Sequence, residues 1–542
     1  MLINRFNNEA MKLKYYTKGF SFIVVLAILI LACKQDQSNE LSLKRSFAPN
    51  TITTTNGETA VTVAWPISLF TTAGQATYAI EVSPDLAFTT IAYTTTTNNL
   101  TVSITDNNLT IKKDYYARVK TIGLNGSADS NWTISPVFRI TGEQFLNPVT
   151  NTNLTDVAVQ LTWRLNPDLT KITITPTGGS SFDVTLDATD KAAGVKVIPG
   201  LTQKTTYTAE IFADVKSKGT VTFKTLASIT GNIVDISATA SDILQSTITG
   251  AASGSVIVLR RGQQYTLTAA HTKSITLQSQ LGFGTNYAII RISANNIGAT
   301  ANIDSLVFRD LVIKGGRALN ASFDNDYILN MATAAITINK IRLDNCTIKI
   351  FRGIVRENGA TTRINNYFVN NCVIDSIRDF SIAQVSVGSG ISNISVTNST
   401  IYKARKFINH GAAGSTCTSV LVDNCTFNEV PSNSGTNYLI DFNAVVVTGG
   451  ITIRNSLFGK TWDEVVATAP LGYRAGSGTG LTVINCYTTS DLVFSASPLT
   501  GPIGYTGSST ALFTNPSAGN FTIKDTNFIG KSSTGDPRWR IN

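Results

Sequence analysis

The chain reads as all-β, with two β-sandwiches followed by a right-handed parallel β-helix. Three observations predict this. An asparagine returns at Asn345, Asn371, Asn398, Asn424, Asn455 and Asn485, in steps of 26, 27, 26, 31 and 30 residues. The residues around each copy alternate apolar and polar with period two. Two earlier stretches each hold the short alternating strands and polar turns of a sandwich. Self-similarity at such an interval belongs to a solenoid, in which each repeat packs mainly on its neighbours.

Within the repeat, the positions four and two before the asparagine are apolar: Ile341 and Leu343, Tyr367 and Val369, Ile394 and Val396, Val420 and Val422, Ile451 and Ile453, Leu481 and Val483. The positions between are mostly polar, as in Arg342 and Asp344, Ser395 and Thr397, Thr452 and Arg454. Each copy is therefore a short strand with one buried face. An apolar residue follows three after the asparagine (Ile348, Ile374, Ile401, Phe427, Phe458), so a second strand starts at once. A lone asparagine between two strands predicts a one-residue left-handed bend, which asparagine tolerates. Stacked copies would bond side chain to side chain.

This frame resembles the coils of pectate-lyase-like β-helices, including their asparagine ladder. Ser253–Leu267 (SGSVIVLRRGQQYTL) resembles the first coil of that superfamily, and Leu512–Trp539 its closing segment. The likeness covers residues 228–542. It is nearest to Bacteroidota lipoproteins of unknown-function families, which implies an association with polysaccharide-utilisation systems and a glycan-uptake complex as a further partner.

In front of the solenoid, VTVAWP (Val61–Pro66), TYAIEVS (Thr77–Ser83) and LTIKKDYYARV (Leu109–Val119) form one strand set. VQLTWRL (Val159–Leu165), LTQKTTYTAEI (Leu201–Ile211) and TVTFKT (Thr220–Thr225) form another. Such spacing predicts β-sandwiches. Leu109 to Tyr115, and again Leu201 to Tyr207, resembles the tyrosine corner of fibronectin type III domains. Trp65 and Trp163 are expected in the cores. Two fibronectin III-like domains are placed at 45–142 and 145–227, as spacers.

Residues 1–33 read as a lipoprotein signal peptide, with Met11 a second candidate start. Lys12, Lys14 and Lys18 precede an apolar run, Ser21–Ala32. Ile30-Leu31-Ala32-Cys33 resembles a lipobox, although Leu31 stands where a small residue is usual. The resemblance implies lipid attachment at Cys33, a tether over 34–44, and an outer-membrane location exposed at the cell surface.

Composition narrows the partner. Charged residues make up 15% of 542, yet the net charge is +9. An exported basic protein is expected to meet acidic polysaccharide rather than nucleic acid. Cys346, Cys372, Cys425 and Cys486 follow ladder asparagines, where Ser399 and Ser456 stand in other coils. They are expected as an inward stack of small side chains, although a Cys346–Cys372 bridge is within reach of coil spacing. No histidine or CxxC pair accompanies them, and no cofactor or metal is called for.

Seven residues beyond the asparagine stand Arg352, Arg378 and Arg405 in successive coils, with Arg356 and Lys406 nearby. In register they would form a basic stripe able to fork onto the carboxylates or sulfates of a sugar chain. Alternatively they form a solvated row, or pair with Asp379 and Glu357. Lys403, Tyr402 and His410 are the candidate bases should the protein be a lyase, since β-elimination of a uronate needs a base at C5 and a neutralised carboxylate. His410 also reads as a polar loop residue. Phe368 and Trp462 are candidate sugar platforms or coil packing. The carboxylates do not converge as a calcium-dependent lyase or a glycosidase of this fold requires. The sequence thus supports a surface lipoprotein binding an acidic, polyuronate-like polysaccharide. A metal-independent polysaccharide lyase comes second, and a structural or adhesion protein without a glycan site third.

Overall fold

The computed structural model describes residues 44–541 apart from 125, 269, 294–296, 299, 316–325, 333–334 and 465–467. Cys33, the signal segment and nearly all of the expected tether lie outside the described residues. The chain packs as two units. The first comprises the described residues up to Pro148 with Thr162–Val195 and Thr208–Thr222; the second comprises Val149–Leu161, Lys196–Tyr207 and Phe223 onward.

The sandwich strands follow their alternation. Ala60–Ala64 lies between Thr53–Asn56 and Thr101–Thr105, and Tyr78–Ser83 lies between Tyr93–Thr97 and Tyr116–Thr121. Their inward residues, Val61, Val63, Ile80 and Val119, are fully buried, as is nearly all of Trp65. The second set builds a four-stranded sheet and the pair Ala158–Thr162 with Val195–Pro199. Both tyrosine corners form: the Tyr115 hydroxyl accepts from Thr110 N at 3.2 Å, and the Tyr207 hydroxyl from Thr202 N at 2.8 Å.

From Ile233 the chain winds through three parallel sheets of ten, ten and six strands. The asparagine frame sits on the corner between the first and second. Along the first sheet Ile341, Tyr367, Ile394, Val420 and Ile451 pair coil to coil. On the second, Ile348, Ile374, Ile401, Phe427 and Phe458 do the same. All ten are buried, and truncating one to alanine would cost about 2–5 kcal/mol. The apolar repeat is therefore what fixes the register, since a one-residue slip would turn every such side chain outward.

All six ladder asparagines hold φ between 48° and 56°, as at Asn345 (53°) and Asn424 (55°). Asp310 (φ 54°) occupies the same place one coil earlier. Asn345 donates to Asp310 at 2.6 Å, Asn371 to Asn345 at 3.0 Å, and Asn485 to Asn455 at 2.9 Å. The ladder breaks where Asn398 turns to Asn370 and Asn455 to Asp423. The five described cysteines are free and buried, and the expected inward stack is present: Cys346 N meets Cys372 Sγ and Cys372 N meets Ser399 Oγ.

The closing segment does not simply end the stack. Residues Phe513–Ile541 fold back against the second sheet, where Phe513, Phe521 and Phe528 pack with Leu457, Tyr402 and Tyr487. Arg538 donates to Asn371 and Arg540 to Asn424. Trp539 Nε1 donates to Thr400 Oγ1 at 2.7 Å, and Gly535 N to Asn455 O at 2.9 Å.

Candidate functional site

The three predicted arginines do stack. Arg378 N bonds Phe351 O and Arg405 N bonds Ile377 O, both at 3.0 Å, which sets Arg352, Arg378 and Arg405 at one corner of successive coils. The stripe is not one of bare guanidinium groups, however. Arg352 and Arg405 converge on the Asp379 carboxylate, and Arg405 also forks onto Glu464 at 2.6 and 2.9 Å. Arg356 lies over Phe380 at 4.5 Å and bonds Asn358. Of the two alternative partners, Asp379 takes this role. Glu357 instead turns inward to Thr362, where burial pushes its carboxyl up to about 8.

A pocket of about 300 Å³ opens beside Arg405 and Lys406 and is completed by Asp379, Glu464, Asn433 and Asn437. Its two cations face two carboxylates. Burial lowers the affinity of the Lys406 ammonium for its proton, and Asp441 and Asp379 partly offset this.

The candidate bases do not meet there. His410 is fully buried, stacked on Phe442 at 5.1 Å, and its Nε2 accepts from Ile391 N at 2.8 Å. Burial holds the imidazole down at about 4, so it is a neutral loop anchor out of reach of a substrate. Tyr402 lies edge-on to Phe521 of the closing segment, and burial beside Asp375 pushes its phenol up, away from the ionised form a base requires. Lys403 takes the left-handed bend (φ 53°) and gives its ammonium to Ser517 O at 3.2 Å. The returning segment, invisible in a repeat analysis, engages both. Phe368 is partly exposed beside Arg342 on the first sheet, and Trp462 is half-buried, its backbone bridged to Ser432.

A larger concavity lies over the outward face of the first sheet. It holds about 670 Å³, and Asn151 and residues 226–230 form part of its wall. Arg309, Lys340 and Arg342 line it from the first sheet; Arg342 lies between the buried Ile341 and Leu343, so strand alternation turns it outward. Arg261 joins them from the turn after Ser255–Leu259, spread over Tyr287 at 4.6 Å and bonded to Gly284 O. Among the described residues lining the groove, the carboxylates facing these four cations are Asp310 and Asp344. Asp344 lies 3.5 Å from Arg309 and 3.3 Å from Arg342, and also accepts from Asn370 at 2.7 Å. Asp310 accepts from Asn345, while burial raises its carboxyl. The Tyr287 hydroxyl accepts from the same Asn345 amide. A polar column through Gln278, Arg309, Asp344 and Asn370 runs along the floor at coil spacing. Sequence reasoning missed Arg261, Arg309 and Lys340 here. The signal was available for Arg309: it precedes Asp310 as Asp344 precedes Asn345, but an aspartate hid that coil from an asparagine search. Among the described residues no group of three potential metal ligands gathers.

Two family models match within the β-helix. The family described as "Domain of unknown function (DUF4957)" matches residues 263–404, and "Domain of unknown function (DUF5123)" matches 420–539. No curated protein matches the chain. Among solved structures, the chicken CNTN1 FN1–FN3 domains are 13% identical, covering 34% of this chain and 66% of that one, with a TM-score of 0.16. A two-domain fibronectin type III segment of chicken tenascin is also 13% identical, covering 32% and 97%, with a TM-score of 0.18. A β-helix carrying domains of unknown function fits a surface or carbohydrate-related protein.

Proposed function

We propose that the protein is a cell-surface lipoprotein, anchored in the outer membrane through Cys33, whose β-helix binds an acidic polysaccharide. The observation that carries this reading is the excess of cations in the groove over the first sheet: Arg261, Arg309, Lys340 and Arg342 against Asp310 and Asp344. Arg309 and Arg342 lie on neighbouring coils two residues out of register, so they present a diagonal pair of guanidinium groups to carboxylates or sulfates along a sugar chain. Phe368 offers an apolar face beside them. A glycan-uptake complex remains the proposed setting.

The test is gel retardation of the chain from Lys34 onward in polygalacturonate, alginate and chondroitin sulfate. Retardation that Arg309→Ala and Arg342→Ala abolish supports the groove; no retardation in any polyanion overturns it.

A second reading, metal-independent lyase, is favoured by one observation: Lys406, its ammonium weakened by burial, stands beside Arg405 in the smaller pocket. Neutral Lys406 would take the C5 proton, the C4–C5 double bond would form as the C4–O bond breaks, and the leaving oxygen would take a proton from water, with Arg405 exchanging Glu464 for the substrate carboxylate. Growth of unsaturated-product absorbance that Lys406→Ala removes would establish it.

A further inference from the structure

The first sandwich carries an apolar tip around Phe70, the most exposed large apolar side chain among that domain's described residues. Leu69 and Phe70 are 64% and 79% exposed, and the Phe47 ring packs against Phe70 at 5.3 Å. Ile67 extends the same loop and is itself 38% exposed. Phe70 holds φ at 61°, a left-handed conformation that costs a bulky residue free energy, so the ring is presented outward despite local strain. The base of the loop is rigid. Ser68 is buried, its hydroxyl bonds Thr121 at 2.7 Å, and Thr121 Oγ1 bonds Phe47 O at 2.8 Å. Thr71 N and Oγ1 both return to Ser68 O, which closes the turn on itself. One hydrogen-bonded chain therefore fixes the loop and the stretch by which the polypeptide enters the domain.

The place of that tip names its occupant. Lys44 stands eleven residues beyond Cys33, so the tether spans at most about 40 Å. Phe47 follows three residues later, beside the cations Lys44 and Arg45. A rigid aromatic and aliphatic tip flanked by basic residues, within a short reach of a lipid anchor, matches the lipid–water interface. We propose that Phe47, Leu69 and Phe70 seat in the headgroup boundary of the membrane that carries the anchor, fixing the first sandwich against it. The choice of occupant rests on the anchored reading of Cys33; the glycan groove plays no part in it.

The experiment is cosedimentation of the chain from Lys34 onward, which carries every described residue but no Cys33, with sucrose-loaded vesicles. One set is pure phosphatidylcholine and the other contains phosphatidylglycerol. Binding to both is expected, stronger with the anionic lipid, and Leu69→Ser with Phe70→Ser should lower partitioning at least about tenfold. Phe70→Gly removes the ring and relieves the strained backbone, so it should lose vesicle binding with unchanged or raised thermal stability. All these variants should keep polysaccharide retardation. Absence of vesicle binding overturns the proposal, as does binding that the substitutions leave intact. Concentration-dependent dimers that the same substitutions dissolve would also overturn it, by assigning the tip to a second copy. Palmitate labelling of the full chain and of Cys33→Ser tests the anchor separately.

Discussion

Four cations face two carboxylates in the groove over the first sheet, whereas Arg405 and Lys406 face Asp379 and Glu464 in the pocket on later coils. In sequence the second region looked the more basic, with an arginine at the same place in three coils running. In space the pocket's Arg405 and Lys406 are balanced by Asp379, which lies one residue after Arg378, and by Glu464, which comes from two coils further on. The lesson is that a periodic cation marks a column, while net charge depends on which side chains from other coils reach that column. The groove has fewer periodic cations and more unspent charge.

The sharpest way to break this comparison is to remove charge from the groove. Arg309→Ala with Arg342→Ala should weaken acidic-polysaccharide affinity about 100-fold, since each removes a charge-assisted contact. Arg405→Ala should change it less than about twofold. Affinity electrophoresis at low ionic strength measures both, and equal losses would erase the distinction. Raising the salt should weaken the groove's binding, as exposed charges are screened.

Next in size is Glu357, a carboxylate turned into the coil interior, where burial outweighs the charge of Arg363. Burial raises its carboxyl from 4.5 to about 8. The fold therefore favours the protonated form, and its contribution is fully present below pH 4.5 and lost as pH rises through about 8. Glu357→Gln should stabilise the protein at pH 8 by on the order of 2 kcal/mol, with the gain fading below pH 4.5. Urea denaturation at the two pH values checks it. His410 has the opposite sign: its site holds the neutral ring, so its contribution is lost as pH falls from 6.5 towards about 4.

Asp379→Ala should cost about 1–2 kcal/mol by leaving Arg352 and Arg405 short of a partner. It should also turn the balanced pocket into a second, weak polyanion site, visible as added retardation. The smallest effect belongs to the ladder. Asn398→Ala should cost about 1 kcal/mol, from a left-handed bend without its tolerant residue, and Asn398→Gly should cost less. Thermal unfolding separates the two.

The coil frame was legible because burial enforces it. One face of each strand must be apolar, and the left-handed corner selects asparagine, so both leave a fixed interval in the sequence. The tyrosine corners were legible for the same local reason. Leu259 to Tyr265 repeats their spacing inside the β-helix, with the Tyr265 hydroxyl accepting from Arg260 N at 3.0 Å. That contact passed unnoticed among the coil residues. What the sequence hid was non-local: the wall that residues 226–230 give the groove, the reach of Glu464 to Arg405, and the return of the closing segment over Tyr402 and Lys403. Position along a repeat says nothing of what crosses it.

That returning segment alters how the solenoid holds together. Repeats stabilised only by their neighbours can open one at a time from an end. Here Gly535, Asp536, Trp539 and the two arginines touch coils at Asn371, Thr400, Asn424, Thr426 and Asn455, across as many as 167 residues of chain. Those coils gain contacts of high sequence separation and should open as one cooperative block rather than fray singly. During synthesis they would wait, loosely stacked, until the strap emerged and bound them together.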